Sequence, residues 1–299
     1  MPEKLIEVPE ARRRVLQRVS PLEAEPVPLR EALGRVLAAD IASADPVPGF
    51  DNSSMDGFAV RATDTRGASA EAPVELRLVD ESRAGRPAES ALEARQAIAI
   101  STGAMVPAGA DAVVRVEDTS TADGRVEVAV EIERGNNVRR SGDDIKPGAS
   151  VLRRGATIGA AELGVLASVG VAEVSCARRP RTWVLSTGDE LLEPGDALRP
   201  GGVRDANSYT IPSLASGAGA EIAAIETVRD DPAATLPAIR RALNGEIAVI
   251  SGGVSVGEHD HVKAALDTLG VEQVFWRVAL KPGKPTWFGV AQGGTLVFG

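Results

Sequence analysis

Two rhythms of apolar and polar residues divide the chain. From Pro73 to Ile132 the period is two: Val74-Glu-Leu-Arg-Leu-Val and Arg125-Val-Glu-Val-Ala-Val-Glu-Ile alternate, which predicts half-buried strands. Ala97 to Ser101 and Ala112 to Val116 fit between them as shorter strands. Ahead of this segment the pattern predicts a short basic helix over Pro9 to Val19 and a second over Leu29 to Ala39, before Asp45-Pro-Val-Pro-Gly-Phe breaks it. Gly135 to Gly148 reads as a loop rich in glycine, asparagine and charge, and Gly159 to Val169 as a helix. Beyond Arg178-Arg-Pro-Arg, apolar runs alternate with helical stretches. Strands are expected at Thr182 to Leu185, Ala220 to Val228, Ile247 to Ile250 and Val274 to Leu280. Helices are expected at Tyr209 to Gly219, Pro232 to Leu243 and Asp260 to Leu269. Such alternation implies a mostly parallel, doubly wound α/β sheet.

Composition narrows the function. With 33 basic and 42 acidic residues the net charge is −9, and no long basic run exists, which argues against nucleic acid as the main partner. Aromatic residues make up 3%, too few for a base-stacking platform. No run of eighteen apolar residues occurs, so no membrane span is expected. Met1 to Val19 carries Glu3, Glu7 and Glu10 and lacks the apolar core of a signal peptide. The single cysteine, Cys176, suits a reducing cytoplasm and reads as a small buried apolar residue.

Candidate chemistry collects after the strands of the second half. In a doubly wound sheet ligands gather outside the carboxyl ends of the strands. Ser186-Thr-Gly-Asp-Glu-Leu, Arg229-Asp-Asp and Ser251-Gly-Gly-Val-Ser-Val-Gly-Glu-His-Asp each follow a predicted strand. They would bring Asp189, Glu190, Asp230, Asp231, Glu258 and Asp260 to one edge. Strand, glycine loop and helix start is an anion-receiving geometry. Carboxylates there call for a hard divalent cation shared with phosphate oxygens. The plainer alternatives are that Asp260 only caps a helix, that Glu190 pairs with a surface arginine, and that Asp231, which precedes Pro232, is an N-cap. His259 and His261 lack metal-ligand spacing and read as neighbours of the loop. Lys281-Pro-Gly-Lys284-Pro is a stiff turn holding two ammonium groups, either an oxyanion clamp or an ordinary exposed turn. Arg139 and Arg140 with Asp143 and Asp144 form a solvated cluster or a shaped loop. Asp56-Gly57 and Thr102-Gly103 are weak signals alone.

Read together and in order, Phe50-DNSSMDGFAV-Arg61, STGAMVPAGADAVVRVED, GNNVRRSGDDIKPG, STGDEL, RDDP, SGGVSVGEHDHVK and KPGKP resemble the molybdopterin molybdenumtransferase family, which includes the E domain of gephyrin and the plant molybdenum insertase. The resemblance implies an elongated, multi-domain homodimer of α/β plus β class. Residues 1–50 and 148–178 would be a discontinuous N-terminal helical and linker domain. Residues 51–147 would be a β-rich insert whose loops reach toward the partner, and 179–299 a molybdopterin-binding α/β domain. It implies Mg²⁺-dependent cleavage of adenylylated molybdopterin, insertion of molybdate and release of AMP. Asp56, Thr102, Arg139, Asp144, Glu190, Asp230 and Asp260 would be catalytic, the last three handling metal. Thr187, Gly252, Gly253, Ser255, Arg277, Lys281 and Lys284 would bind substrate. A molybdopterin adenylyltransferase is an implied partner. Arg277 stands where some relatives have lysine. Relatives also continue past Gly299 into a Pro-Gly-Asn-Pro loop and a small β domain, so a C-terminally truncated member is expected. Adenylyl transfer and a non-catalytic scaffold remain as alternatives; the long β-rich segment speaks against the first and the array of acids against the second.

Overall fold

The computed structural model describes residues 5–253 and 261–299. Among them the α-helices are α1 (Val8–Leu16), α2 (Ala160–Ser168), α3 (Asn207–Gly217), α4 (Pro232–Ala242) and α5 (His261–Thr268). The chain divides into two compact units. One comprises Val27–Leu33 and Ala39–Val174, the other Met1–Pro26, Gly34–Ala38 and Ser175–Gly299.

The first unit is built on a six-stranded sheet of β1 (Gly57–Val60), β2 (Val74–Ser82), β3 (Gln96–Ile100), β4 (Ala112–Arg115), β5 (Thr119–Ala122) and β6 (Arg125–Val128), in the order β4-β1-β3-β2-β6-β5. All pairs are antiparallel except β2 with β3. Central β1 is buried on both faces because its side chains alternate. Phe58 and Val60 pack with Leu76, Val114 and Val126, while Ala59 packs with Ile98, Ile100 and Val113. Gly57 is required where the strands approach: a Cβ there would lie 1.9 Å from the Val114 carbonyl oxygen. Helix α2 begins where Glu162 accepts a hydrogen bond from the Gly159 amide at 3.0 Å, and it buries Leu166.

The expected helix over Leu29 to Ala39 does not form. Only Leu29–Glu31 turns, as a 3₁₀ segment. Gly34 then takes a positive φ of 74°, and Leu37 forms a bridge with Cys176. The leucine spacing that looks helical serves an extended pairing instead.

The second unit contains a mixed sheet of β7 (Arg181–Thr187), β8 (Glu221–Val228), β9 (Ile247–Ser251), β10 (Glu272–Trp276), β11 (Trp287–Val290) and β12 (Leu296–Phe298), ordered β8-β7-β9-β12-β11-β10. The first four are parallel; β11 pairs antiparallel with β12, and β10 antiparallel with β11. Helices cover both faces. Consecutive Trp287 and Phe288 point to opposite sides, Trp287 into the core with α4 and α5 and Phe288 into a cluster with Ala11 of α1 and Phe275. Helix α4 is specified locally: Asp231 accepts hydrogen bonds from the Ala233 and Ala234 amides, Pro232 takes the first helical position, and Arg240 and Arg241 complement the carboxyl end. Its Ile239 is fully buried, and truncation to alanine would cost about 2–5 kcal/mol.

The strand expected over Val274 to Leu280 is shorter and shifted. Strand β10 ends at Trp276 because Arg277 adopts φ 68°, which breaks the extended run; Val278 then bridges to Ile6.

Candidate functional site

Parallel pairing of β8, β7 and β9 places their carboxyl ends side by side. Thr187 is in register with Val228, and Ser186 with Ser251. Thr187 is buried, its hydroxyl 3.5 Å from the Ser251 carbonyl oxygen. Gly252 follows with φ 97° and Gly253 with φ 62°. Side chains are excluded there: a Cβ on Gly252 would lie 2.6 Å from the Thr187 carbonyl oxygen, and one on Gly253 2.5 Å from a methyl of Val262. The backbone at this edge is therefore left bare.

Three of the expected acids, Asp189, Glu190 and Asp230, follow strands that end at this edge. Asp189 accepts a long 3.4 Å hydrogen bond from the Asp230 amide. The Glu190 carboxylate folds over Gly188, where a Cβ would lie 2.5 Å from its Oε2. Glu190 and Asp230 are exposed, and Asp231 is occupied as the α4 cap. Among the described residues no three histidine, cysteine or acidic side chains are grouped to hold a metal ion. Asp260 and Ser255, with Glu258 and His259, lie outside the described residues.

Sequence reasoning missed a polar cluster beside Thr187. Buried Asp205 accepts from the Ser208 amide at 3.0 Å and its hydroxyl at 2.5 Å, with the Ser186 hydroxyl at 3.5 Å. Burial pushes the Asp205 carboxyl upward, but donors from Ser208, Ser186 and the Asn207 amide outweigh it and hold the group below the usual carboxylate range. Asn207 donates to the Ser251 hydroxyl at 2.7 Å, which ties the start of α3 to the glycine loop. The available signal was Asp205-Ala-Asn-Ser ahead of a helical stretch, the pattern of a helix cap.

The lysine turn is closed by its own backbone. Arg277 donates to the Thr286 carbonyl and Val278 to the Lys284 carbonyl, each at 3.0 Å, and the Thr286 hydroxyl donates to Gly283 at 2.7 Å. Lys281–Pro282 is a cis peptide. Lys281 and Lys284 are exposed, and the ion pairs formed among the described residues leave out Arg277, Lys281 and Lys284. Arg277 lies with its guanidinium carbon 4.0 Å from the centre of the Trp276 ring.

In the β-rich unit the charged loop is a shaped one. Asn52–Ser53 pairs antiparallel with Val138–Arg139, which draws Arg139 to the Phe50–Arg61 segment. Arg139 pairs with Asp144 at 2.6 Å, and Arg140 with Asp51 at 2.6 Å. Asp51 also accepts from the Ser141 amide at 2.9 Å; that bond, aided by Arg140 and opposed by burial, holds its carboxyl low. The Arg140 amide donates to Asp143 at 2.7 Å. Asp56 accepts from the Thr102 amide at 2.7 Å, so these two expected residues meet.

A bare glycine edge, exposed strand-end acids and a cation-bearing turn define an α/β unit suited to oxyanion chemistry. Residues 6–170 match the family described as MoeA N-terminal region (domain I and II), and residues 183–299 match the one described as probable molybdopterin binding domain. Molybdopterin molybdenumtransferase of Haemophilus influenzae is 38% identical over 288 residues, covering 95% of this chain and 70% of that protein. Molybdopterin molybdenumtransferase 2 of Mycobacterium tuberculosis is 40% identical over 280 residues, with 91% and 68% covered. Two structures of the molybdopterin biosynthesis MoeA protein from Pyrococcus horikoshii superpose with TM-scores of 0.82 and 0.83 at 35% and 29% identity, each over 99% of this chain and 74% of the other. The chain belongs to the molybdopterin molybdenumtransferase family, a family of transferases of molybdenum cofactor biosynthesis. Among the described residues no helix is long and apolar enough to cross a membrane.

Proposed function

We propose that this protein inserts molybdate into adenylylated molybdopterin in a Mg²⁺-dependent reaction that releases AMP. The observation that carries the reading is the parallel register of β8, β7 and β9, which brings the segments carrying Glu190, Asp230 and Gly252–Gly253 to the same edge of the sheet as Thr187. The donor set fits magnesium, which is held by one or two carboxylates together with substrate phosphates rather than by a closed protein cage. Glu190, Asp230 and Asp260 are the proposed holders, and the ion would draw charge from phosphoryl oxygens. Thr187, Gly252, Gly253 and Ser255 bind the pterin phosphate. Arg277, Lys281 and Lys284 present fixed positive charge to the molybdate dianion. Asp56, Thr102, Arg139 and Asp144 act from the β-rich part.

The finer division is proposed as 1–50 with 148–178, then 51–147 and 179–299, in an elongated homodimer working in a reducing cytoplasm, with an adenylyltransferase as supplier of substrate. Exposed Phe50, Met55, Met105 and Val116 lie in the segments that carry Asp56 and Thr102, and a second copy of this chain would cover them. The deciding experiment incubates the protein with adenylylated molybdopterin, Mg²⁺ and molybdate, following AMP and pterin-bound molybdenum. Both are expected, and both should fall when Mg²⁺ is chelated. AMP without molybdenum insertion would reject the transferase assignment.

A further inference from the structure

One buried carboxylate ties together three segments that frame the proposed site. Asp205 is 5% exposed, and its oxygens receive the Ser208 amide at 3.0 Å, the Ser208 hydroxyl at 2.5 Å and the Ser186 hydroxyl at 3.5 Å. The hydroxyls of Ser186 and Ser208 lie 3.0 Å apart, so the end of β7 and the start of α3 meet on this group. The third segment arrives through the backbone. Leu191–Leu192 pairs parallel with Val203–Arg204; the Val203 amide donates to the Glu190 carbonyl at 2.8 Å, and the Asp205 amide to the Leu192 carbonyl at 2.9 Å. The short ribbon that begins at Glu190 is therefore bonded to Asp205 itself. Arg199, from the loop that closes the ribbon, donates to the Asp189 carbonyl at 2.6 Å. From the first residue of α3, Asn207 reaches the Ser251 hydroxyl at 2.7 Å, one residue before Gly252.

A helix cap would need only the Ser208 amide. The other contacts have a further consequence. An ionised carboxylate only accepts hydrogen bonds, and a buried charge is costly unless its donors stay in place. Sliding α3 or the ribbon against β7 takes a donor from Asp205, so the charge opposes that movement. We propose that Asp205 is a positioning residue of the site: its carboxylate, anchored on Ser186 and Ser208, holds the ribbon that begins at Glu190 and the α3 start whose Asn207 holds Ser251 ahead of Gly252–Gly253. The inference rests on the reading of Glu190 and the glycine edge as the place where Mg²⁺ meets substrate phosphate. Magnesium demands near-ideal octahedral geometry, so a small displacement of one ligand-bearing segment weakens its binding. Asp205 acts by holding the groups that touch ion and phosphate.

The test compares Asp205→Asn, which keeps the shape and removes the charge, with Ser208→Ala, which removes one donor and leaves the carboxylate. AMP release from adenylylated molybdopterin is followed against Mg²⁺ concentration, and hydrogen exchange at the Val203 amide reports the tether without any turnover. Asp205→Asn should raise the half-saturating Mg²⁺ about tenfold, with kcat at saturating Mg²⁺ within about threefold, and should speed exchange at Val203 about tenfold. Ser208→Ala should shift both about threefold. The double variant should show less than the product of the two, since both act on one group. A loss of folded protein alone lowers kcat and leaves the half-saturating Mg²⁺ where it was. If Asp205→Asn does not fold, Ser208→Ala is read by itself on the same scale. Unchanged Mg²⁺ dependence in the folded variants, or unchanged exchange at Val203, overturns the proposal and leaves the reading of the site standing. Wild-type protein that releases no AMP with Mg²⁺ overturns the reading of the site, and this inference with it.

Discussion

Charges are handled in opposite ways in the two units. In the β-rich unit the loop charges are matched nearby: Arg139 to Asp144, Arg140 to Asp51, and Asp56 to the Thr102 amide. Asp80 accepts from the amides of Glu81, Glu89 and Ser90. At the carboxyl edge of the α/β sheet, Lys281 and Lys284 enter no ion pair among the described residues, and the Asp230 carboxylate has no partner among them. Matched charges give a loop its shape. Unmatched charges clustered at strand ends wait for a ligand to supply the opposite charge. Substitutions of matched charges outside the proposed site, such as Asp51 and Asp80, should therefore be read in stability, and those of the unmatched charges in chemistry.

The largest effect should separate the two groups most clearly. Asp230→Asn is expected to slow AMP release by about a hundredfold or more while leaving the unfolding midpoint unchanged. A normal rate, measured at saturating Mg²⁺, would put Asp230 among the structural charges.

The amino edge of the same α/β sheet supplies a control. There Glu246 accepts from the Arg178 side chain at 2.8 Å and the Arg181 amide at 2.7 Å. The Arg178 bond, with the Arg181 donors and against the pull of burial, lowers its pKa from 4.5 to about 2. A carboxyl lowered on folding stabilises above its unfolded pKa and loses that contribution as pH falls through the folded one. About 2 kcal/mol, discounted for partial exposure, should be lost between pH 4.5 and 2, and Glu246→Gln should flatten that part of the urea-midpoint profile. An unchanged profile in the variant would mean that the pair is not matched in solution.

Asp51→Ala should cost about 1.5 kcal/mol, because the Ser141 amide and the Arg140 guanidinium both lose their acceptor. AMP release at saturating substrate should stay near normal if Asp51 only shapes the loop. The smallest effect belongs to the α4 cap. Asp231→Ala should cost about 1 kcal/mol and Asp231→Asn only a few tenths, with chemistry unaffected in both. Strong loss of AMP release in Asp231→Asn would show that proximity to Asp230 matters more than the cap.

What could be read in advance was what the chain decides locally. The β2 and β6 alternation, the Asp231-Pro232 start of α4 and the glycines after β9 all carry their conformation in adjacent residues. The sharing of one edge by Asp189, Glu190 and Asp230 was legible because parallel strands put their carboxyl ends together. The segment after Leu29 was misread because Gly34 and the pairing of Leu37 with Cys176, far along the chain, override a helical spacing. Asp205 was passed over because it joins Ser186 and Ser208 in a buried network that no spacing announces.

Strand β12 sits between β9 and β11, pairing parallel with one and antiparallel with the other. It is the last strand of the sheet to be synthesised and is needed near its middle. Until Leu296–Phe298 emerges from the ribosome, β9 presents an open edge of Ile247, Ala248 and Val249, and the β10–β11 hairpin has nothing to join. An unpaired apolar edge recruits other strands. The nascent chain is thus most exposed to aggregation just before its sheet closes, and chaperone occupancy should peak in that interval.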